Sequence, residues 1–313
     1  MTQLGQLLKV DLREIWLTED RDFTPWLARE EHLQILGDTI GLELELEAQE
    51  KEVGPFRADI LCKNTLDGSW VLIENQIERT DHRHLGQILT YAAGLDAVTI
   101  VWIASKFTEE HRSAIDWLNR ITDRNFSFFG LEVELWRIND SLPAPKFNII
   151  SQPNDWSLTV SRAAKKLEDE GLSESGEIQY RYWTALSEYL QDHSNMKLGS
   201  PGAKGWYDFA LGKTNTTLRL SMATKNGKIT AGVYLYKNMK DAYEALYEQR
   251  EDIEQKFGQP LDWENSPTKQ TAVIKIEKLA DISDETDWIN QHAWLKEMLE
   301  NFKRVFRPIV KEF

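Results

Sequence analysis

Hydrophobic and polar positions in the first half of the chain switch between helical and strand-like spacing. Apolar residues recur at helical intervals between Pro25 and Gly41, which suit the first turn and the exit of a helix. From Leu42 to Glu47, leucines alternate with glutamates, as in a strand that has one exposed face. The pattern therefore predicts a helix followed by a strand, and a solvated strand face is a sufficient explanation for the glutamates.

Two short apolar runs, at 57–63 and 70–77, flank an Asp-Gly turn and are predicted to pair as a hairpin. Residues 81–95 place their apolar side chains on one helical face, and the run at 99–104 is almost purely apolar, as in a strand buried on both faces. The intervening helix is therefore predicted to cross over between parallel strands. The remaining elements predicted in this half are a helix at 109–121 and a strand at 126–138.

A Pro-rich segment that begins near Ser141 is the best candidate for a linker, and it predicts two domains, 1–155 and 156–313. In the second domain, Asn226-Gly227 predicts a hairpin turn between two apolar runs. The second half is predicted to be an α+β domain. Its predicted helices cover 163–170, 178–193, 239–257 and 287–310, and its predicted strands cover 216–223, 228–236 and 271–276.

Two carboxylates in the predicted hairpin give the strongest chemical signal. Asp59 lies in the first strand, and Glu74 lies in an otherwise apolar second strand, with Gln76 two positions later on the same face. A carboxylate in a buried strand is unfavourable unless it is paired, neutralised or bound to a metal. Oxygen ligands of this kind suit Mg²⁺, and the sequence therefore predicts a site for Mg²⁺ or Mn²⁺ at which phosphate chemistry takes place.

These elements and residues resemble the PD-(D/E)xK nuclease superfamily, whose restriction-endonuclease-like core has the order αβββαβ, with a mixed sheet flanked by helices. Asp59 matches the acid of the second strand, and Glu74-x-Gln76 matches the third-strand motif. The runs WLAREEHLQILGDTIGLELELE, FRADIL and VLIENQIERTDHRHLGQILTYAAGLDA resemble bacterial proteins that join such a half to a C-terminal domain of unknown function. The resemblance implies an α/β fold class with a second α+β domain.

The resemblance also implies roles for individual residues. Asp59 and Glu74 are expected to bind the metal, and Gln76 is expected to orient a water molecule or the scissile phosphate. Gln76 stands where the family usually has lysine, so it brings no positive charge and cannot act as a base near neutral pH. Many members also have a glutamate on the first helix that reaches the metal. Alignment favours Glu31 for this role, whereas the helical wheel places Glu30 nearer the apolar face.

Several residues are candidates for contacts with nucleic acid. Arg57 shares a strand face with Asp59, and His84 and Gln87 follow helical spacing with Tyr91, so these side chains could reach phosphate or an attacking water. A salt bridge at Arg57 and a solvated helix face are the alternatives. Residues 201–240 contain seven basic residues and one acid, as in a phosphate-contacting surface or an ordinary solvated strand face. The candidates in this window are Lys213, Arg219, Lys225 and Lys228.

Composition limits the remaining classes of function. The 313 residues carry a formal charge of −14, which disfavours binding of a polyanion over the whole surface but leaves local patches open. The single cysteine, Cys62, and the lack of a signal-like start or a long apolar run lead us to expect a cytoplasmic protein without a membrane partner.

The predicted function is metal-dependent hydrolysis of phosphodiester bonds in DNA, in restriction, defence or repair. The alternative is an inactive binding or assembly module with a nuclease fold. The resemblance also leads us to expect a homodimer, because single-site domains of this superfamily often pair to cut both strands.

Overall fold

A computed structural model describes residues 4–53, 56–94, 98–122, 126–153, 174–196, 198, 201–223, 227–266 and 268–313. These residues form two compact units: the first contains nearly all of 4–153, and the second contains 174–313. The predicted boundary near residue 155 lies outside the described residues, as does the predicted helix at 163–170. In the described part of the chain, no helix is long and apolar enough to cross a membrane.

The first unit is a mixed α/β structure, and short irregular helical turns follow its first strand, one of them a π-helical turn at Glu19–Phe23. Its helices and strands, in chain order, are β1 (Leu7–Val10), α1 (Thr24–Leu27), α2 (Glu30–Ile40), β2 (Leu44–Val53), β3 (Phe56–Asn64), β4 (Trp70–Asn75), α3 (His82–Gly94), β5 (Val98–Ala104), α4 (Glu109–Ile121), β6 (Phe126–Ile138) and β7 (Ala144–Ser151).

The seven strands of this unit form one mixed sheet. Their order is β1-β6-β5-β4-β3-β2, and β7 also pairs with β6. Strands β4, β5 and β6 are parallel, whereas β3 is antiparallel to both β2 and β4. The predicted hairpin of β3 and β4 and the crossover through α3 are thus confirmed.

Helices cover both faces of this sheet. On one face, Leu33, Leu36 and Ile40 of α2 pack into a core with Ile73 and other residues of the central strands. On the other face, α3 and α4 pack against Trp102 and its neighbours. Because β4 and β5 are buried on both faces, they have the continuous apolar sequences expected of parallel strands. A polar side chain on β4 therefore lies inside the protein.

Two predictions for the first unit are wrong in detail. The helix predicted from Pro25 to Gly41 is broken, because Arg29 has extended backbone angles (φ −69°, ψ 144°) and separates α1 from α2. The segment predicted as a linker contains β7, in which Pro145 lies opposite Leu135 of β6. Proline is tolerated in strands that leave one side unpaired. The prolines thus led to the prediction of a linker where a strand is present. The N-terminal strand β1 was also not predicted.

Elements of the second unit, in chain order, are α5 (Glu174–His193), β8 (Trp206–Ala210), β9 (Thr216–Ala223), β10 (Lys228–Tyr236), α6 (Asn238–Asp241), α7 (Tyr243–Glu248), α8 (Arg250–Phe257), β11 (Asp262–Asn265), β12 (Thr271–Leu279) and α9 (Trp288–Val310). The strands form an antiparallel sheet in the order β11-β12-β10-β9-β8. The predicted hairpin of β9 and β10 is confirmed, and one face of the sheet packs against α5 and α9 in a single core. The helix predicted at 239–257 is instead three short helices, and β8 and β11 were not predicted.

Candidate active site

The two carboxylates predicted to bind metal meet where β3 and β4 stop pairing. The ladder between these strands runs from Lys63↔Trp70 to Ile60↔Ile73. Asp59 and Glu74 are the next residues beyond its last pair, while β4 continues beside β5 as far as Asn75. The two acids therefore lie in a fork between diverging strands.

Hydrogen bonds to the main chain hold both side chains in this fork. The main-chain N–H of Asn75 donates to Oδ2 of Asp59 at 2.9 Å, and that of Asp59 donates to Oε1 of Glu74 at 3.4 Å. Each carboxylate thus binds a main-chain N–H of the opposite strand, which would otherwise lack its ladder partner. The two carboxyl groups are brought together by the backbone on which they sit.

Burial makes the charged forms of both acids unfavourable. Only 1% of Glu74 is exposed, whereas Asp59 is half-buried. Burial, followed by the negative charge of Asp59, raises the pKa of Glu74 from 4.5 to about 9. Burial also raises the pKa of Asp59 from 3.8 to about 6, although the hydrogen bond from Asn75 and the charge of His84 oppose the shift. Among the described residues, neither acid forms a salt bridge with a basic side chain.

Helix α3 contributes a buried tyrosine and a glutamine. The Tyr91 side chain is 1% exposed and hydrogen-bonds to Glu74, and Gln87 hydrogen-bonds to Tyr91. The Oε1 atom of Gln87 is buried and has no donor in the part of the chain that the structure describes. Tyr91 thus contacts Glu74 directly, and Gln87 is connected to Glu74 through Tyr91.

Gln76 is held on all sides by the protein itself. Only 1% of the residue is exposed, and its Oε1 accepts the indole N–H of Trp102 at 2.9 Å. Its Nε2 donates to the carbonyl of Arg79 at 2.8 Å and to Oδ2 of Asp81 at 3.3 Å. Both amide hydrogens that we predicted to orient a water or phosphate are therefore already engaged. In the described structure Gln76 braces the segment that leads from β4 into α3.

Asp81 immediately precedes α3 and fixes the first turn of that helix. Its Oδ1 accepts the main-chain N–H of His84 at 3.0 Å, as an N-cap residue does, and its Oδ2 lies 2.9 Å from Nδ1 of the same histidine. Burial opposes ionisation of this carboxyl, but the hydrogen bonds from His84 and Gln76 outweigh it and lower its pKa. His84 is thus tied to the segment that also holds Gln76.

A glutamate not predicted from the sequence also contributes charge to this region. Glu19 lies in the π-helical turn before α1, where its Oε2 accepts the main-chain N–H of Ile77 at 2.8 Å, and its charge raises the pKa of Asp59. Glu31, predicted for this position, and its alternate Glu30 are both exposed on α2. The described interactions of Asp59 and Glu74 do not include Glu31, whose metal role stays a prediction.

The predicted nucleic-acid contacts differ in their surroundings. Arg57 is the second residue of β3, but its side chain lies outside the described residues, and so does Lys225. In the second unit, Arg219 donates to both carboxylate oxygens of Asp208, at 2.6 and 2.8 Å. Lys228 forms a 2.7 Å salt bridge with Glu277, and Lys213 is half-buried. Within the second unit, the charges of Arg219 and Lys228 are thus compensated by acids. One of these acids, Glu277, lies outside the basic window at 201–240 in sequence.

Comparisons with known proteins find similarity over parts of the chain. A family model described as Domain of unknown function (DUF4268) matches residues 178–310, in agreement with the predicted C-terminal domain of unknown function. The crystal structure of a repair endonuclease from Pyrococcus abyssi is similar at 19% identity and a TM-score of 0.26, over 33% of this chain and 46% of that chain. The similar region thus spans less than half of the endonuclease. No curated protein matches the chain.

Proposed function

We propose that the first unit is a PD-(D/E)xK-like nuclease that hydrolyses phosphodiester bonds in DNA with Mg²⁺ or Mn²⁺. The observation that carries this proposal is the position of Asp59 and Glu74 in one fork between strands, held by reciprocal hydrogen bonds to the main chain. Two acids at such a place oppose folding unless they are neutralised by protonation or by a cation. A function that needs both carboxylates explains why the chain keeps them there.

The donor set fits a hard divalent cation. Asp59 and Glu74 supply carboxylate oxygens, and Glu19 adds negative charge beside them. The described residues contain no group of three or more His, Cys, Asp or Glu side chains arranged to hold a metal. Mg²⁺ does not need one, because it commonly binds one or two carboxylates and completes its shell with waters and substrate phosphate oxygens. The chemistry that such an ion supplies is activation of water and polarisation of a phosphoryl oxygen.

The surrounding residues have supporting roles in this proposal. Tyr91 and the main chain of Asp59 orient the Glu74 carboxylate, while Asn75 orients that of Asp59. Glu74 is enclosed, whereas Asp59 is half-exposed and provides the side on which a phosphodiester can approach. His84 and Gln87 of α3, together with Arg57 of β3, are proposed to border the path of the nucleic acid.

Cleavage assays test this function. Supercoiled, linear and single-stranded DNA and RNA are incubated with the full chain and Mg²⁺ or Mn²⁺, and Asp59→Ala and Glu74→Ala are compared with the wild type. We expect both substitutions to remove cleavage of DNA. Glu109→Gln changes an exposed acid in the first turn of α4 and serves as a matched control that retains activity.

The same assay compares Glu19, which the structure places near Asp59, with Glu31, which the sequence predicts to reach the metal, and it also tests the inactive alternative. Glu19→Gln is expected to reduce cleavage, and Glu31→Gln tests the sequence prediction directly. If Asp59→Ala and Glu74→Ala cut as fast as the wild type, the activity belongs to another site or to a contaminant. A wild-type chain that binds DNA but cuts none of the substrates supports the binding module instead.

A further inference from the structure

We propose that His84, oriented by Asp81, is the proton acceptor of this active site and supplies the basic group that the strand lacks at Gln76. This inference rests on the proposed nuclease function and adds a catalytic residue and a positioning residue to it. It is carried by the hydrogen bonds around Asp81 and by the position of α3 beside the carboxylate pair.

Asp81 fixes both the orientation and the tautomer of the His84 ring. Its Oδ1 binds the main-chain N–H of His84, while its Oδ2 lies 2.9 Å from Nδ1. An ionised carboxylate only accepts hydrogen bonds, so this geometry assigns the ring proton to Nδ1. The lone pair is then on Nε2, which is the nitrogen that can take a proton from water. A carboxylate that orients a histidine in this way also stabilises the imidazolium that forms.

The position of His84 fits this role better than those of the other candidates on the same segment. Its side chain is 16% exposed, so water can reach it, and its charge acts on Asp59. Gln76 is enclosed and cannot accept a proton near neutral pH. The Nδ1 atom of His82, two positions earlier, lies 3.0 Å from Nε2 of His111. The ring of His82 therefore contacts a different histidine.

Gln76 connects this pair to the carboxylate strand. Its Nε2 donates to the same Oδ2 of Asp81 that contacts His84, and its Oε1 is anchored by Trp102. The chain of contacts from Trp102 through Gln76 and Asp81 therefore fixes His84 relative to β4, which carries Glu74. A glutamine at the usual lysine position has a structural purpose in this arrangement.

The proton transfer can be written with its atoms balanced. His84 Nε2 takes a proton from the attacking water as the water oxygen forms its bond to phosphorus. The bond between phosphorus and the leaving ester oxygen breaks, and that oxygen takes a proton from solvent water. The imidazolium then returns its proton to solvent. Neither oxidant nor reductant is needed. Charged groups that interact with the ring include Asp81, which precedes its own helix, and Asp59 on β3.

Single-turnover cleavage by the full chain separates a catalytic role for His84 from a binding role. We expect His84→Ala to slow the cleavage step about 100-fold, the ordinary size of a general-base contribution. Affinity for DNA, measured by anisotropy with Ca²⁺ in place of Mg²⁺, should stay within about twofold because the lost step is proton transfer. Added imidazole should restore part of the rate to His84→Ala and none to Asp59→Ala. His82→Gln, on the same helix turn, is the matched control with wild-type cleavage.

Long-range ¹H–¹⁵N spectra of the metal-free chain provide a readout that does not depend on activity. The resonances of His84 are assigned by their loss in His84→Ala, and the Nδ1–H tautomer is expected. Asp81→Asn should remove this tautomer preference and slow cleavage. Added imidazole should not restore the cleavage rate of this variant, because the His84 ring is still present but is no longer held in the correct orientation.

The outcomes distinguish a failure of the proposed role of His84 from a failure of the proposed nuclease function. If Asp59→Ala abolishes cleavage but His84→Ala cuts at the wild-type rate, the function stands and the inference is overturned. An Nε2–H tautomer in the wild type, or a loss of DNA affinity that accounts for the whole defect of His84→Ala, also overturns it. A wild-type chain that cuts no substrate overturns both proposals.

Discussion

The carboxylate of Glu74 accepts a hydrogen bond from the main-chain N–H of Asp59, 3.4 Å away, beyond the last paired residues of β3 and β4. Asp59 in turn accepts the N–H of Asn75 at 2.9 Å. These contacts continue the strand pairing through side chains and leave two acids side by side in a region of low solvent exposure. The fork is therefore a place where charge opposes folding, and where a cation would stabilise the folded chain.

Glu74→Gln should stabilise the metal-free protein at neutral and alkaline pH. The pKa of Glu74 is about 9 in the folded protein and 4.5 ordinarily, so folding favours the protonated form. Its contribution to stability is complete below pH 4.5 and is lost as the pH rises toward 9. Between pH 5 and pH 8, we expect the free energy of unfolding of the wild type to fall relative to the variant by on the order of 4 kcal/mol. Urea unfolding in EDTA measures this difference.

Glu134→Gln should have the opposite effect and serves as a control for that measurement. Hydrogen bonding from Lys9, with further hydrogen bonds from Trp136 and Asn148, lowers the pKa of Glu134 to about 2. The ionised form is thus favoured in the folded protein, and its contribution is present above about pH 4.5 and lost as the pH falls toward 2. At pH 7 we expect a loss of about 1–2 kcal/mol, because the Lys9 side chain is largely exposed. A Glu134→Gln protein more stable than the wild type at pH 7 would contradict this assignment.

Divalent cations should raise the thermal midpoint of the wild type through this fork. A ligand that binds only the folded state stabilises it in proportion to the logarithm of its concentration once the site is saturated. We expect the midpoint to rise with Mg²⁺ or Mn²⁺ in differential scanning fluorimetry, and to respond much less in Asp59→Asn and Glu74→Gln. Glu134→Gln should keep the full response. An equal rise in all four proteins would show that the ions bind elsewhere.

Gln76→Met should destabilise the first unit because it removes every hydrogen bond of a buried amide while keeping a similar volume. The indole N–H of Trp102 and the carbonyl of Arg79 would lose their partners. Each buried polar group without a partner costs about 1–3 kcal/mol. Urea unfolding should show a loss of this order, whereas Gln34→Met, on the exposed face of α2, should change stability by less than about 0.5 kcal/mol. Equal losses in the two variants would contradict a bracing role for Gln76.

The parts of the site that could be predicted from the sequence are those marked by a local pattern of polar and apolar residues. Asp59 and Glu74 were located because polar residues interrupt apolar strands, and α3 was located because apolar residues recur at helical spacing over residues 81–95. Glu19 was not found, because it lies 40 positions before Asp59 in an irregular turn that has no repeating pattern. The partners of Gln76 were also not predicted, because Trp102 comes beside it only after the crossover through α3 returns the chain next to β4.

Net charge along the sequence was a poor guide to the surface of the second unit. Pairing of β10 with β12 brings Glu277 of β12 to Lys228 of β10. An acid from outside the basic window at 201–240 thus compensates a charge within it. Asp208 and Arg219 likewise face each other across β8 and β9. Partners in an antiparallel sheet are set by register, which a count of charges within one stretch of sequence does not contain.

Arg219 and Asp208 should show measurable coupling in a double-mutant cycle. The guanidinium donates to both oxygens of Asp208, lies over the rings of Trp206 and Tyr234, and is about one-quarter exposed. Two parallel hydrogen bonds in a half-buried setting favour a coupling energy of about 0.5–1.5 kcal/mol between Arg219→Met and Asp208→Asn. The exposed helical pair of Lys256 and Asp252 is the control, and it should couple by less than about 0.5 kcal/mol. If Arg219→Met weakens DNA binding while coupling to Asp208 is absent, the arginine serves as a phosphate contact and its pairing within the sheet is incidental.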